Sequence, residues 1–165
     1  MFVADAGSLL DIVEADPSII QLVAAHLGDL RIPAPALLKI DNAKAYEIQR
    51  LGVSVHECKT EDLLEAAPNN LSLSFEERLC LITARDEKWT LVTHDLVLKR
   101  ICDSDGVRSV CALDLLFQLL KGAHISQVTA NHIASNLRQI NPKFMTQERV
   151  DSYIIAITKL GNSKK

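Results

Sequence analysis

Two aspartates follow short apolar runs in the sequence, at the points where predicted strands end. Asp5 closes the run MFVAD, and Asp95 closes the run LVTHD. Because parallel sheets bind ligands beyond the carboxyl ends of their strands, we expect both carboxylates to face such a crevice. Thr93 lies two residues before Asp95 and projects to the same side if the strand persists. Carboxylate oxygens in this position are suited to hold a hard divalent cation, Mg²⁺ or Mn²⁺.

Helix capping is the competing explanation for these acids, because aspartate is favoured at the N-cap position. We favour the metal site because two acids occur together, at the two strands that we expect to be central. Glu77 follows Ser74 by three residues, which is the spacing of a capping box. The spacing alone favours a structural role for Glu77, and Asp114, before the helical run LLFQLLKG, is likewise interpreted as a cap.

The elements that must position these residues alternate along the chain. Runs typical of strands (MFVAD, LRIP, VSVHEC, WTLVT and VRSVCA) are separated by segments with apolar residues at helical spacing. One such segment, residues 35–52, is predicted as a single helix that stops at Gly52. Strands joined by helices of this length predict right-handed crossovers and an α/β fold. The expected architecture is a three-layer α/β/α sandwich with a central, mostly parallel sheet of four to five strands, followed by C-terminal helices.

Composition and charge narrow the class of protein. The 165 residues are 48% hydrophobic and 24% charged, which is ordinary for one soluble domain. No apolar run approaches the roughly 18–20 residues that cross a bilayer, and the sequence has no secretory signal, so we expect a cytoplasmic protein without a membrane segment. Four cysteines without CxxC spacing are expected to be reduced thiols. The net charge of −3 argues against a module that holds nucleic acid by charge alone, and leaves metal-dependent chemistry open.

One long stretch, LSFEERLCLITARDEKWTLVTHD, is specific as a whole. It runs from a Leu-Ser loop into Glu77 on the first turn of an apolar helix, and then through an apolar strand to the Thr-x-Asp that ends at Asp95. Together with the strand that ends at Asp5 and the segment LRIP, this order of motifs resembles the PIN-domain family, in particular its small VapC-like toxins and their stand-alone relatives. The resemblance covers roughly residues 1–120.

The resemblance implies a divalent-metal-dependent endoribonuclease that cleaves single-stranded or structured RNA by metal-activated water. Asp5, Glu77 and Asp95 would be its catalytic residues and would hold Mg²⁺ or Mn²⁺. It also implies a homodimer and a cognate antitoxin protein as a partner, since both are typical of the small toxins. The domain boundaries that follow are a nuclease domain over residues 1–122, a helical extension of the same domain over 123–161, and a disordered tail over 162–165.

Two positions depart from the family pattern. Lys39 stands where the family has a glutamate a few residues after the Ile-Pro, and Gly7 stands where it commonly has asparagine or serine. Ser8 is adjacent to Gly7 but displaced. Asp41 is a weaker candidate ligand, since two positions along one helix place it about 200° around the axis from Lys39. Lys39 itself is expected to reach the phosphate or to form an ion pair with the acids.

These departures leave two interpretations open: an active nuclease, and a catalytically impaired PIN-like module that acts as a scaffold for protein assembly. A phosphoryl-transfer protein of the receiver or phosphatase type is disfavoured, because no second acid adjoins Asp5. His94 is expected to point away from Thr93 and Asp95 and to have a structural or surface role. The candidate substrate contacts and supporting residues are Thr93, Ser8, Lys39 and Lys99. For Lys99, as for Arg78 and Arg100, the sequence leaves two roles open, a contact with phosphate and a position on a solvated face.

Overall fold

The computed structural model of the protein describes residues 1–68 and 72–162. Its strands are β1 (Phe2–Ala4), β2 (Leu30–Pro33), β3 (Ser54–His56), β4 (Thr90–Val92) and β5 (Ser109–Val110). Within the described residues, they form one five-stranded, all-parallel sheet in the order β3-β2-β1-β4-β5. The described helices are α1 (Ala6–Ala15), α2 (Ser18–His26), α3 (Ala34–Leu37), α4 (Asn42–Arg50), α5 (Thr60–Ala66), α6 (Phe75–Asp86), α7 (Leu96–Ser104), α8 (Ala112–Lys121), α9 (Gln127–Ile140) and α10 (Gln147–Asn162). None of these helices is long and apolar enough to cross a membrane.

Helices cover both faces of the sheet, as the residues of β1 show. Phe2 and Ala4 belong to the larger hydrophobic core, whereas Val3 packs on the opposite face with Cys80 of α6 and Leu91 of β4. This alternation follows from the two-residue period of a strand. Because both of its faces are buried, β1 is a continuous apolar run, which is the pattern of a strand in a covered parallel sheet. The predicted α/β/α sandwich is confirmed.

Helices α9 and α10 complete the larger core. Ile133 and Leu137 of α9 and Ile157 of α10 are buried in the same cluster as Phe2 and Ala4. The chain after residue 122 is therefore part of the packing around the sheet. The disordered tail was predicted to begin at residue 162, but Asn162 is the last residue of α10. The rest of that predicted tail, 163–165, lies outside the described residues.

The order of the strands reverses between β1 and β4. The chain leads from β1 to β2 and β3 on one side of the sheet, and β4 and β5 then lie on the other side of β1. At such a reversal, the loops beyond the strand ends diverge and leave a crevice. Asp5 follows β1 at this point, and its backbone N–H donates to the carbonyl of Val92, the last residue of β4, over 3.2 Å. The two acid-bearing loops therefore begin side by side.

The prediction of a single helix over residues 35–52 is wrong. The structure divides it into α3 and α4, and Asp41 is the N-cap of α4, with its Oδ1 accepting from the backbone N–H of Ala43 at 3.0 Å. The preference of aspartate for an N-cap prevails here over the apolar period that continues through the segment. Lys39 and Asp41 consequently do not share a helix axis.

Arg78 of α6 is a structural residue. The sequence left open a phosphate contact or a solvated face for it, and the structure shows neither. Its side chain is 5% exposed. The Nε atom donates to the carbonyl of Ala66 at 2.7 Å, and Nη1 donates to the carbonyl of Leu73. A buried guanidinium is favourable only when its donors are paired, and these two carbonyls pair them. Arg78 thereby joins the end of α5 to the start of α6.

Replacing Arg78 by alanine is expected to lower the free energy of unfolding by about 2–4 kcal/mol, because two buried carbonyls lose their donor. Arg85→Ala is the matched control on the same helix. Its ion pairs with Glu65 and Asp86 are exposed, so we expect a loss of about 1 kcal/mol or less. Urea denaturation of both variants measures the difference, and equal losses would contradict the structural role of Arg78.

Candidate active site

A cavity of about 320 Å³ lies at the reversal of strand order. Asp5, Glu77 and Asp95 all line it. Asp5 comes from the carboxyl end of β1, Glu77 from the first turn of α6, and Asp95 from the residue that precedes α7. The structure thus brings the three predicted acids, which are far apart in the sequence, to the wall of one cavity.

Asp5 is held by several donors. It is the N-cap of α1, with Oδ1 accepting from the Ser8 backbone N–H at 2.7 Å and Oδ2 accepting from the Ser8 hydroxyl at 2.9 Å. The Thr93 hydroxyl also forms a hydrogen bond with this carboxylate. Burial raises the pKa of the Asp5 carboxyl above its ordinary value of 3.8, and the hydrogen bonds from Ser8 and Thr93 oppose that shift. These hydrogen bonds therefore offset part of the cost of removing the Asp5 carboxylate from water.

Asp95 uses one carboxylate oxygen for the helix that follows it. Its Oδ1 accepts from the backbone N–H groups of Val97 and Leu98 at 2.7 and 2.9 Å. No hydrogen bond from the described residues reaches its Oδ2. The side chain is half-buried and lines the cavity. Asp95 is thus an N-cap of α7 that retains one oxygen for a ligand.

Glu77 has the structural role that its spacing favoured. It forms a capping box with Ser74, in which its Oε2 accepts from the Ser74 backbone N–H at 2.7 Å and the Ser74 hydroxyl accepts from the Glu77 backbone N–H at 3.2 Å. Its other oxygen, Oε1, receives no hydrogen bond from the described residues. Glu77 therefore also combines a capping oxygen with one that is open to the cavity.

The hydroxyl groups of Thr93 and Ser8 form hydrogen bonds that hold the acids in position. The Thr93 hydroxyl accepts from the backbone N–H of Asp95 at 3.1 Å while it bonds to Asp5, so it links the two acids. The Ser8 hydroxyl accepts from the backbone N–H of His94 at 2.8 Å while it donates to Asp5. Both side chains are buried. The two hydroxyls therefore fix the relative position of the loops after β1 and β4.

Gly7 leaves room for this arrangement. A Cβ atom at position 7 would lie 3.3 Å from Oδ1 of Asp5, which is a tight contact. An asparagine or serine at this position, as the family commonly has, would press on the acid in this structure. Here the neighbouring Ser8 supplies the hydroxyl to the same carboxylate.

Lys39 lies at the rim of the cavity. Its ammonium is 3.6 Å from Oε1 of Glu76, which also lines the cavity, and the Lys39 side chain is 70% exposed. The pair is therefore largely screened by solvent and of little value to stability. Lys39 thus places a positive charge beside the acids, at the position where the family has a glutamate.

Three other predicted residues lie elsewhere. Asp41 is exposed, caps α4 and does not line the cavity, so its assignment as a weaker metal ligand has no support here. Lys99 lines a second cavity, of about 650 Å³, with residues of α8 and α10. Asp114 was expected to be the N-cap of α8, but Cys111 holds that position, and Oδ2 of Asp114 instead accepts from the Cys111 backbone N–H at 2.8 Å as part of a capping box.

The sequence did not reveal a buried network on one side of the cavity. His94 is 3% exposed, and its Nδ1 lies 3.0 Å from Oδ2 of Asp11. The backbone N–H of Ala112 donates to Nε2 at 3.2 Å, so the ring proton is assigned to Nδ1, which donates to Asp11. The side-chain amide of Asn141 donates to the same Asp11 oxygen at 2.7 Å. His94 is thus structural, and Asp11 and Asn141 become part of the cavity wall.

The oxygen ligands of this cavity suit a hard cation that keeps several of its water molecules better than a cation that is enclosed by protein ligands alone. Among the described residues, no three side chains of His, Cys, Asp or Glu converge as a ready-made ion site. Mg²⁺ commonly keeps several waters and binds through one or two carboxylates together with substrate phosphates. The oxygens Oδ2 of Asp95 and Oε1 of Glu77 suit such binding, and their chemistry suits Mg²⁺ or Mn²⁺.

A comparison of the sequence with models of known protein families finds no match, and a comparison with curated proteins finds none either. The likeness to the PIN-domain family therefore rests on the order of the motifs along the chain.

Replacing Asp5 by asparagine is expected to raise the melting temperature (Tm) of the metal-free protein, because it removes a charge whose burial is unfavourable and keeps an oxygen for the Ser8 amide. A gain of 1 kcal/mol corresponds to about 2–4 °C for a chain of this size. Stability due to the protonated Asp5 carboxyl is present below pH 3.8 and is lost as the pH rises through its raised pKa. The advantage of Asp5→Asn should therefore grow as the pH rises through that pKa and shrink in acid.

Calorimetry in the presence of EDTA, at a series of pH values, measures this effect. Asp41→Asn is the matched control, since Asp41 is also an N-cap but is exposed, and we expect its Tm to follow the wild type. A Tm for Asp5→Asn below that of the wild type at every pH would contradict the expectation.

Proposed function

We propose that the protein is a divalent-metal-dependent endoribonuclease of PIN type that acts on unpaired RNA. The observation that carries this proposal is that Asp5, Glu77 and Asp95, from three separate elements, all line one cavity at the reversal of strand order. Two of these acids keep an oxygen that the described part of the fold does not use. The resemblance to the PIN-domain family supplies the reaction class.

The chemistry that the cavity would perform is hydrolysis of a phosphodiester. Carboxylates alone repel the phosphate, and Mg²⁺ or Mn²⁺ held by Glu77 and Asp95 would supply positive charge, orientation of the phosphate and a more acidic water. Asp5 adds negative charge behind that site, and Thr93 holds Asp5 and Asp95 in register. Lys39 at the rim attracts the RNA backbone, which a chain of net charge −3 otherwise repels.

The proposal extends to the partners that the resemblance implies, a cognate antitoxin and a second copy of the chain. Leu38, beside Lys39, and Leu96 and Val97, beside Asp95, are exposed apolar residues next to cavity-lining residues. Covering such side chains is favourable for any partner that reaches the cavity.

The second candidate function is a PIN-like scaffold without catalysis. It is favoured by one observation, that no three metal-binding side chains of the described residues converge. Its cavity would then be a remnant in which Lys39 neutralises Glu76.

Cleavage of a mixed single-stranded RNA pool in Mn²⁺ tests the proposal. We expect the wild type and the control Asp41→Asn to cleave, and Asp95→Asn to lose about 100-fold in rate, the result of removing about 2.7 kcal/mol of transition-state stabilisation. Asp5→Asn should lose activity although its fold is stabilised, and EDTA should abolish cleavage by all variants. Equal cleavage by all proteins would indicate a contaminating nuclease and would overturn the assigned site.

Thermal unfolding in Mn²⁺ separates the nuclease from the scaffold. An ion that binds only the folded state stabilises it by about 2.7 kcal/mol at 100 times its dissociation constant, so the Tm of the wild type should rise by about 5–10 °C. The rise should be much smaller for Asp95→Asn and unchanged for Asp41→Asn. A scaffold would show no Mn²⁺-dependent rise in any of the three proteins.

Replacing Lys39 by glutamine is expected to tighten Mn²⁺ binding, because it removes a cation from the rim of the cavity. Since the ammonium is largely exposed and screened, the expected change in dissociation constant is about two- to five-fold. Lys44→Gln, on the exposed face of α4, is the control and should leave the constant unchanged. Titration calorimetry gives the three constants, and weaker binding by Lys39→Gln would mean that Lys39 supports the ion site.

A further inference from the structure

Phe144 places an aromatic ring in the wall of the acid-lined cavity. It lies between α9 and α10, beyond the residues that the PIN resemblance covers, and its side chain is half-buried. It lines the same cavity as Asp5, Glu77 and Asp95. An apolar ring beside three carboxylates has no role in holding a cation, and so it needs another explanation.

The position of Phe144 is fixed by hydrogen bonds on both sides. Its backbone N–H donates to the carbonyl of Asn141 at 3.2 Å, and its carbonyl accepts from Nη1 of Arg149. The side chain of Asn141 is in turn bonded to Asp11 of α1 at 2.7 Å. The segment is thus anchored to the helix that begins at Asp5, so the ring and the acid share one rigid support.

A positive charge accompanies the ring. The ammonium of Lys143 lies 4.8 Å from the centroid of the Phe144 ring, and the Lys143 side chain is exposed. An aromatic face combined with an adjacent cation is the arrangement that binds single-stranded nucleic acid, where the ring stacks on a base and the cation attracts the backbone.

We propose that Phe144 stacks on an unpaired nucleobase next to the phosphate that a cation held by the acids would bind, and that Lys143 contacts the backbone of the same nucleotide. This inference rests on the proposed function and names its substrate class more closely. A base within a duplex is covered on both faces by its neighbours, so a stacking ring selects a nucleotide that is single-stranded and unstacked. The carboxylates repel an acidic peptide, and the divalent cation that the proposed reaction requires would offset their negative charge for a phosphate.

Cleavage kinetics on a defined single-stranded RNA oligonucleotide in Mn²⁺ test the inference. Phe144→Leu keeps an apolar side chain but removes the aromatic face, so we expect KM to rise about 10-fold with kcat little changed. Phe144→Trp keeps an aromatic face, so its KM should equal that of the wild type or lie below it. Phe117→Leu is the matched control, since Phe117 is also half-buried but lines the second cavity. Its KM should equal that of the wild type.

A second substrate assigns the effect to a base. For the wild type, an oligonucleotide with an abasic site beside the cleaved bond should raise KM as much as Phe144→Leu does on intact RNA. For Phe144→Leu, the abasic site should raise KM no further, because the base and the ring form the same interaction and either change removes it. Additive losses, or a KM for Phe144→Leu equal to the wild type, would overturn the stacking role while the nuclease stands. Equal cleavage of the same strand in a duplex would also overturn it. A wild type that cleaves no RNA would overturn both the nuclease and the inference.

Discussion

The arrangement of the cavity depends on two buried hydroxyl groups that join the ends of β1 and β4. A carboxylate that is removed from water is costly unless hydrogen bonds replace its hydration. Ser8 and Thr93 replace it at Asp5, and each hydroxyl also accepts a backbone N–H from the residues after β4. The same two hydroxyl groups that offset the desolvation of Asp5 thus also hold the loop of Asp95 next to Asp5. Burial still raises the pKa of Asp5, so the hydrogen bonds do not fully offset the desolvation of its carboxylate.

Capping and ligand binding, which competed as explanations for each acid, are compatible in this fold. A carboxylate has two oxygens, and a helix N-terminus needs only one of them. Asp95 gives Oδ1 to α7 and Glu77 gives Oε2 to the capping box of α6, so in each case the cap fixes the rotamer of the acid and aims the other oxygen. The caps therefore serve as the support that a binding site requires, and a search that treats capping as evidence against function would discard both residues.

The parts of the site that could be predicted from the sequence are those set by local rules. Strand ends, the capping box of Ser74 and Glu77, and the alternation of strands with helices led to the fold and to the three acids. Asp11 and Asn141 are 130 residues apart, and no local period links them, so their contact arises only when α9 packs on α1. The break between α3 and α4 and the burial of Arg78 were missed for a different reason, since their contacts are close in sequence. A capping oxygen two residues from its donor outweighed the helical period, and two carbonyls five and twelve residues from Arg78 outweighed the usual exposure of arginine.

The C-terminal helices change what kind of site this cavity is. Without them, the crevice at the strand reversal would be an acidic recess on a chain whose net charge is already negative. The packing of α9 on α1 brings Asn141 to Asp11, and with it Phe144 and Lys143. Lys39 and Lys143 then lie near the same cavity, so positive charges adjoin its acids. The ring of His94, which is bonded to Asp11 and to the backbone N–H of Ala112, holds α1, α8 and the loop after β4 together.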